Sequence, residues 1–224
     1  MWFSTLERGL FVSDQYYAST PASPSRQVPC TFLFHGHAFS CQTDAGVFSK
    51  GELDEGTALL LHALPELSGP VLDVGCGWGP LGVAIGKAFP TSQITMLDVN
   101  QRALSLARDN AARHGVQARI LESDRYAALP ESEKGTYQAV ITNPPIRAGK
   151  AVVYRILSEA AQWLAPQGTL YLVIRKQQGA DSALKHLRTW YSQVAILERS
   201  HGFRVISAWD PSTDQHGTTE EEPS

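Results

Sequence analysis

The sequence predicts an α/β protein built on a doubly wound, seven-stranded, mostly parallel sheet, with a β-hairpin on its amino-terminal side. From residue 70 onward, short apolar runs typical of strands alternate with segments of helical periodicity. This order favours parallel strands with helices on both faces of the sheet. The last two apolar runs are separated only by residues 200–202. Such a short link cannot cross over between parallel strands, so we expect a hairpin that makes one strand antiparallel.

The length and composition indicate one globular domain in a reducing compartment. The chain has 224 residues, of which 43% are hydrophobic and 18% are charged, and no apolar run approaches the ~20 residues that span a bilayer. The amino terminus has neither a basic leader nor a long apolar run, so we expect no secretory signal and a cytoplasmic protein. The cysteines lack CxxC spacing and the histidines lack HxxxH spacing, which predicts neither a disulfide framework nor a metal site.

Three regions are predicted along the chain: an N-terminal arm at 1–29, a main domain at 30–209 and a disordered acidic tail at 210–224. The arm is rich in Ser and Pro, and the tail holds five acidic residues with no Lys or Arg. The tail has too few apolar side chains to offset the entropy of the chain. The rest of the chain is mildly basic, which is compatible with an RNA substrate.

The main domain begins with a predicted hairpin. Apolar and polar residues alternate on both sides of His35 and Gly36, the pattern of two strands joined by a two-residue turn. This register sets Cys30 opposite Cys41. In a reducing compartment we expect both thiols to be free.

Helices and strands then follow in turn. A helix is predicted within 47–67, where Ser49 and Glu52 have the spacing of a capping box and leucines recur at helical intervals. Two more helices are predicted at 101–113 and 151–164, each with one apolar face. The predicted strands are 71–76, 94–99, 118–123, 138–143, 169–175, 193–199 and 203–209.

The loop after the first of these strands predicts a nucleotide-like ligand. Residues 73–79 have the pattern Asp-x-Gly-x-Gly-x-Gly, and glycines at a strand end let backbone N–H groups approach a ligand. Asp98, 21 residues beyond Gly77, can accept hydrogen bonds from the ribose hydroxyls of an adenosine. A tight turn and a helix cap would explain these residues one at a time, but explain their combination poorly. The predicted ligand contacts are Asp73, Gly75, Gly77, Gly79, Asp98, Val99, Ser123, Asp124 and Asn143.

Asp124 ends the third predicted strand, where the edge of an adenine would lie. Its carboxylate could accept a hydrogen bond from the exocyclic amine of that base. A helix N-cap explains Asp124 equally well.

A second motif, Asn143-Pro144-Pro145-Ile146, ends the fourth predicted strand at the same edge of the sheet. Two prolines cannot continue a ladder of hydrogen bonds, and they stiffen the backbone. A bare Pro-Pro could simply make a rigid turn. An Asn before it and a glycine loop beside it favour a catalytic role for residues 143–146.

The glycine loop, Asp98 and the NPP motif resemble those of class I S-adenosylmethionine-dependent N-methyltransferases. The segments VFSKGELDEG and NPPIRAGK resemble the small-domain family that includes the 16S ribosomal RNA guanine-N2 methyltransferases. The resemblance covers roughly 30–209 and implies a Rossmann-like domain, S-adenosyl-L-methionine as cofactor and ribosomal RNA as partner. Larger members carry a second, degenerate copy of the domain, so this chain resembles the single-domain version.

The resemblance also implies a mechanism, methylation of the exocyclic N2 amine of a guanine. The side-chain oxygen of Asn143 and the carbonyl of Pro144 would each accept an N–H bond from the amine, aiming its lone pair at the methyl group. Many relatives have Tyr or Phe at the fourth position of the motif, where the ring stacks on the target base. This chain has Ile146, so we expect help from Phe48 or Tyr17.

Arg147 and Lys150 follow the motif and are predicted, with Phe48, to contact the substrate, the two cations at its phosphates. Two solvated charges at the start of a helix are the plain alternative. Two other functions stay open: methylation of a protein side-chain amide, and nucleotide binding without catalysis.

Overall fold

The computed structural model describes residues 24–47, 49 and 51–212, and within them it confirms the predicted fold class. A two-stranded hairpin accompanies a seven-stranded sheet. The strands are β1 (Val28–Phe34), β2 (His37–Thr43), β3 (Gly69–Val74), β4 (Ser92–Asp98), β5 (Ala118–Glu122), β6 (Tyr137–Thr142), β7 (Leu164–Arg175), β8 (Tyr191–Ser200) and β9 (Phe203–Pro211). The α-helices are α1 (Glu55–Ala63), α2 (Pro80–Ala88), α3 (Gln101–Arg113), α4 (Lys150–Trp163) and α5 (Ala180–Trp190).

The order of the strands in the large sheet creates the binding crevice. The order is β5-β4-β3-β6-β7-β9-β8, and β9 runs antiparallel to both of its neighbours. Helices α1 to α3 and the hairpin pack on one face of the sheet, and α4 and α5 pack on the other. The chain therefore reverses its direction of winding between β3 and β6. In sheets of this kind, ligands bind outside the carboxyl ends of the strands at that reversal.

The predicted hairpin is confirmed. Its turn, His35 and Gly36, has φ of 46° and 77°, the positive values that a two-residue turn between strands requires. Cys30 faces Cys41 in the register, and both are buried free thiols.

Asn110 of α3 fastens the hairpin to the glycine loop. Its Nδ2 donates to the carbonyls of Gln42 (3.0 Å) and Trp78 (2.9 Å), while its Oδ1 accepts from the backbone N–H of Gln42 at 2.8 Å. All polar groups of this buried amide are thus used in holding the loop.

The predicted start of α1 is wrong. The helix begins at Glu55, and its N-cap is Asp54, whose Oδ2 accepts a hydrogen bond from the N–H of Thr57 at 3.0 Å. Ser49 instead donates its hydroxyl to the carbonyl of Glu52. Ser49 has φ of 58°, and this left-handed backbone is incompatible with a helix start.

Most predicted strand boundaries move by one to five residues, and two of the shifts change which element a residue belongs to. Helix α4 ends at Trp163, and Leu164, predicted in the helix, has the extended backbone angles φ −69° and ψ 134° and begins β7. Strand β9 continues to Pro211, which pairs with Tyr191 of β8. Asp210 therefore belongs to the sheet and not to the predicted tail.

The remaining predictions for the ends of the chain lie outside the described residues. The arm is described only from residue 24, and its last two residues, 28 and 29, belong to β1. The tail beyond residue 212 is not described. None of the described helices is long and apolar enough to cross a membrane.

Candidate active site

The carboxyl ends of β3, β4 and β6 border a cavity of about 350 Å³. Most of the residues singled out in the sequence line it. These are Gly75, Gly77, Asp98, Val99, Ser123, Asp124, Asn143, Pro144, Pro145, Ile146 and Arg147. Asp73, Gly79 and Lys150 do not line it, and Phe48 and Tyr17 lie outside the described residues.

The glycines of the loop have different tasks. Gly77 has φ of 56°, and a Cβ there would meet nothing within 4 Å, so its backbone is open toward the cavity. Gly79, at the N-cap of α2, would bring a Cβ within 3.3 Å of the Ala107 backbone. Gly79 thus allows α3 to pack closely, while Gly75 and Gly77 leave room for a ligand.

Asp98 fixes the loop and faces the cavity. Its Oδ2 accepts a hydrogen bond from the N–H of Gly77 at 2.8 Å, and its Oδ1 accepts one from the N–H of Asn100 at 2.9 Å. Burial raises the pKa of Asp98 despite the opposing effect of these backbone donors. Each carboxylate oxygen keeps a lone pair, so Asp98 can still accept hydrogen bonds from a pair of hydroxyls.

Asp73 lies behind the loop and is fully buried. Its Oδ2 accepts a hydrogen bond from the N–H of Gly82 at 3.1 Å, whereas its Oδ1 has no partner among the described residues. Burial raises the pKa of Asp73 to about 7, with the Gly82 donor lowering it and the nearby Asp98 raising it. Asp73 therefore supports the start of α2 from behind the loop and does not line the cavity.

Strand β5 leads into a turn at the cavity, and no helix begins at Asp124 in the described chain. The Ser123 hydroxyl accepts from the N–H of Ala128 (3.0 Å) and donates to the carbonyl of Arg125 (2.9 Å). Asp124 accepts from Nη1 of Arg125 through both oxygens, at 2.8 and 2.9 Å. Ser123 thus shapes the turn, and Asp124 presents a carboxylate that already has a cationic partner.

The amide of Asn143 is held in one orientation by the first turn of α1. Its Nδ2 donates to Oδ2 of Asp54 and to Oγ1 of Thr57, each at 2.9 Å. A carboxylate only accepts hydrogen bonds, so the NH₂ group must face Asp54. The amide oxygen therefore points away from Asp54 and accepts no hydrogen bond in the described part of the chain, and Asn143 itself lines the cavity.

The segment after Asn143 is stiff and presents a second acceptor. The N–H of Ala148 donates to the carbonyl of Pro145 at 2.9 Å, which closes a short 3₁₀ turn at Ile146–Ala148. No donor among residues 24–47, 49 and 51–212 reaches the carbonyl of Pro144. Asn143 and Pro144 both line the cavity, and neither the Asn143 amide oxygen nor the Pro144 carbonyl has a donor among the described residues.

Two cations flank these acceptors. Arg147 is exposed and lines the cavity. Lys150, the first residue of α4, is exposed at a smaller neighbouring cavity, and its Nζ lies 5.0 Å from the ring centroid of Tyr154. Neither cation forms a salt bridge within the described segments.

We call the part of the cavity lined by Asn143, Pro144 and four further residues the acceptor side. The sequence pattern did not reveal these four residues. They are Asp54, Thr57, Arg175 and Phe203. The Asp54 and Thr57 spacing could have predicted a helix start, but their contact with Asn143 spans 86 to 89 residues of chain and leaves no local signal.

The chain matches the model of a protein family and the sequences of several known proteins. The family model described as methyltransferase small domain matches residues 38–207. An uncharacterised protein of Bacillus subtilis, YbxB, is 38% identical over 88% of this chain and 98% of its own length. Ribosomal RNA small subunit methyltransferase C of Vibrio vulnificus is 36% identical over 78% of this chain and 50% of its own length.

Solved structures resemble this fold as well. The Thermus thermophilus 16S rRNA N2 G1207 methyltransferase, solved with AdoMet and guanosine, matches with a TM-score of 0.74 and 24% identity. The match covers 85% of this chain and 52% of that one. This chain therefore spans about half the length of the ribosomal RNA methyltransferases that it matches.

Proposed function

Since the chain belongs to the methyltransferase small-domain family, we propose that it methylates the exocyclic N2 amine of a guanine in 16S ribosomal RNA. The chain is an S-adenosylmethionine-dependent methyltransferase, and the identity of the acceptor is the proposed part. The observation that carries the proposal is the fixed orientation of the Asn143 amide, which leaves its oxygen without a donor in the described residues at a cavity that Pro144 also lines. A ribosomal substrate also agrees with the expected cytoplasmic location.

The residues at the glycine loop fit S-adenosyl-L-methionine. The open side of Gly77 lets the cofactor approach the backbone, and the free lone pairs of Asp98 suit the two ribose hydroxyls. Asp124 would face the adenine edge, and the buried Asp73, whose Oδ1 has no partner among the described residues, lies behind the loop. When bound, the cofactor supplies an electrophilic methyl group on a sulfonium.

The chain's own residues then position the amine that is to be methylated. The lone pair of an exocyclic guanine amine is delocalised into the ring, so the amine is a weak nucleophile. Two acceptors, the Asn143 amide oxygen and the Pro144 carbonyl, can take its two N–H bonds and hold the nitrogen in line for displacement. The prolines and the Asp54 contact fix these acceptors before substrate binds, which avoids reorganisation during the reaction. The proton can leave after transfer, so no general base is needed.

The cations beside the NPP motif favour RNA over a protein side-chain amide as the substrate that accepts the methyl group. Arg147 and Lys150 are exposed beside the NPP motif and have no acidic partner in the described residues, so both can meet phosphates. Matched relatives such as those of Vibrio vulnificus and Pseudomonas aeruginosa are named as ribosomal RNA methyltransferases. Membership of a methyltransferase family also sets aside binding without catalysis.

The proposal can be tested by following a labelled methyl group. The purified chain is incubated with methyl-labelled S-adenosylmethionine and either unmodified 16S RNA or total cell protein, and the RNA is digested to nucleosides. We expect label in N2-methylguanosine, and we expect Asn143→Ala to lower turnover by ~100-fold or more while cofactor affinity is kept. Label in protein, or in another nucleoside, would refute the proposed acceptor.

A further inference from the structure

The target base needs a flat surface to stack on, and Ile146 does not supply one. We propose that the guanidinium of Arg175, supported by the ring of Phe203, is the stacking surface for the purine to be methylated. This inference rests on the proposed function, because only a planar acceptor requires such a surface.

Arg175 lies at the correct edge of the sheet for this task. It is the last residue of β7, and β7 is the parallel neighbour of β6, with Thr142 opposite Leu172. Asn143 follows Thr142 directly, so Asn143 and Arg175 leave adjacent strands at their carboxyl ends. Both side chains line the same cavity.

The guanidinium of Arg175 lies over the ring of Phe203 and is partly covered. Its carbon lies 4.2 Å from the ring centroid of Phe203, and its Nη2 donates to Oε2 of Glu55 at 3.1 Å. The side chain remains 43% exposed. One face of the planar group therefore packs on an aromatic ring, and the other is available to a ligand in the cavity.

Phe203 serves as the support and is not itself the stacking surface. It is only 6% exposed, and its ring packs over Gly56, where an added Cβ would lie 2.8 Å from the ring. A ring buried in this way offers little area to a base. Its role is to fix the plane of the guanidinium above it.

One turn of helix holds both the acceptor and the proposed stacking surface. Asp54 and Thr57 orient the amide of Asn143, Glu55 pairs with Arg175, and Gly56 makes room for Phe203. The amide oxygen and the guanidinium plane are thus fixed relative to the same four residues. A base stacked on that plane would lie in the cavity that Asn143 also lines.

The chemistry of the residue suits a purine. Arginine carries a delocalised, planar and weakly hydrated cation, which stacks on the face of nucleobases, whereas lysine offers only a point charge. A stacking role therefore predicts that lysine cannot replace Arg175 although the charge is kept. An aromatic side chain should replace it although the charge is lost.

The test compares Arg175→Ala, Arg175→Lys and Arg175→Trp in the full chain, with Arg119→Ala as a matched control. Arg119 is 41% exposed and pairs with Glu133. It lies on β5, an edge strand that β4, β3 and β6 separate from β7. The measurements are KM and kcat for methylation of 16S RNA, cofactor affinity by calorimetry and thermal unfolding. The unfolding curves identify any variant that fails to fold.

We expect the Ala and Lys variants to raise the KM for RNA about 10-fold or more, while the Trp variant stays within a few fold of the wild type. Cofactor affinity of the three Arg175 variants, and the KM, kcat and cofactor affinity of the control, should stay unchanged. Wild-type KM in the Lys variant, or a Trp variant no better than Ala, would overturn the stacking role while leaving RNA as the acceptor. Methylation of protein and not RNA by the wild-type chain would overturn the proposed function, and the stacking role with it.

Discussion

Asp54 orients the amide of Asn143, for which we propose a catalytic role, and Asp54 also caps α1. Two substitutions can separate the orienting role from the capping role. Ser and Asn are both good N-caps, so Asp54→Ser and Asp54→Asn should each keep the hydrogen bond from the N–H of Thr57. In the wild-type chain a single oxygen, Oδ2, accepts from both Thr57 and Asn143. An Asn at this position keeps an oxygen there, whereas the shorter Ser side chain cannot reach Asn143.

The expected size of the effect follows from the lost bond. A hydrogen bond to a charged group contributes about 1.5–3 kcal/mol, and each ~1.4 kcal/mol corresponds to a factor of ten in rate. If the Asp54 bond serves to hold the amide for the transition state, the single-turnover rate constant of methyl transfer in Asp54→Ser falls about 10- to 100-fold. Asp54→Asn keeps a neutral hydrogen bond and should lose less than about 10-fold.

The assay is single-turnover methyl transfer to RNA at saturating cofactor, with cofactor affinity from calorimetry and stability from thermal unfolding. Cofactor affinity should be unchanged, because the glycine loop and Asp98 belong to other elements than α1. Both variants should unfold within a few degrees of the wild type, since the cap is retained. Wild-type turnover in Asp54→Ser, or equal losses in the two variants, would refute the orienting role.

Three further predictions concern the cofactor, the pH dependence and the substrate. Asp98→Ala should weaken S-adenosylmethionine binding at least 10-fold, since two charge-assisted hydrogen bonds of about 1.5–3 kcal/mol each are lost; unchanged affinity by calorimetry would contradict this assignment. Burial holds the folded pKa of Asp73 at about 7, above its ordinary value of 3.8. Between these two values the folded state keeps a proton that the unfolded state releases. The free energy of unfolding therefore falls by up to ~4 kcal/mol between pH 4 and 7. Asp73→Asn should remove that dependence, so the Tm of the variant relative to wild type should be higher at pH 8 than at pH 5, and parallel Tm profiles would argue against it. Reversing Arg147 and Lys150 to Glu should flatten the salt dependence of RNA binding, because each neutralised phosphate contributes about 0.7–0.9 to the slope of log affinity against log salt; equal slopes would identify the two cations as solvated charges.

The sheet and the cofactor side of the cavity could be predicted because their signals are local. Apolar runs, a three-residue link and the spacing from Gly77 to Asp98 are all visible in short stretches of sequence, and parallel strands bring their ends to one edge. The start of α1 could not be predicted from spacing alone. Ser49 and Asp54 both precede plausible first turns, and the left-handed backbone at Ser49 (φ 58°) decides between them.

The acceptor side of the cavity is assembled from contacts that sequence spacing does not encode. Asn143 depends on Asp54 across 89 residues, and Arg175 depends on Glu55 across 120. The glycine loop and Asp98, in contrast, lie within 73–98, a continuous βαβ segment. Changes at 54–57 or at Arg175 can therefore alter how the acceptor is held while the cofactor loop keeps its geometry. Because the two sides are built from different elements, variants of α1 and Arg175 should change kcat and the KM for RNA but not cofactor affinity.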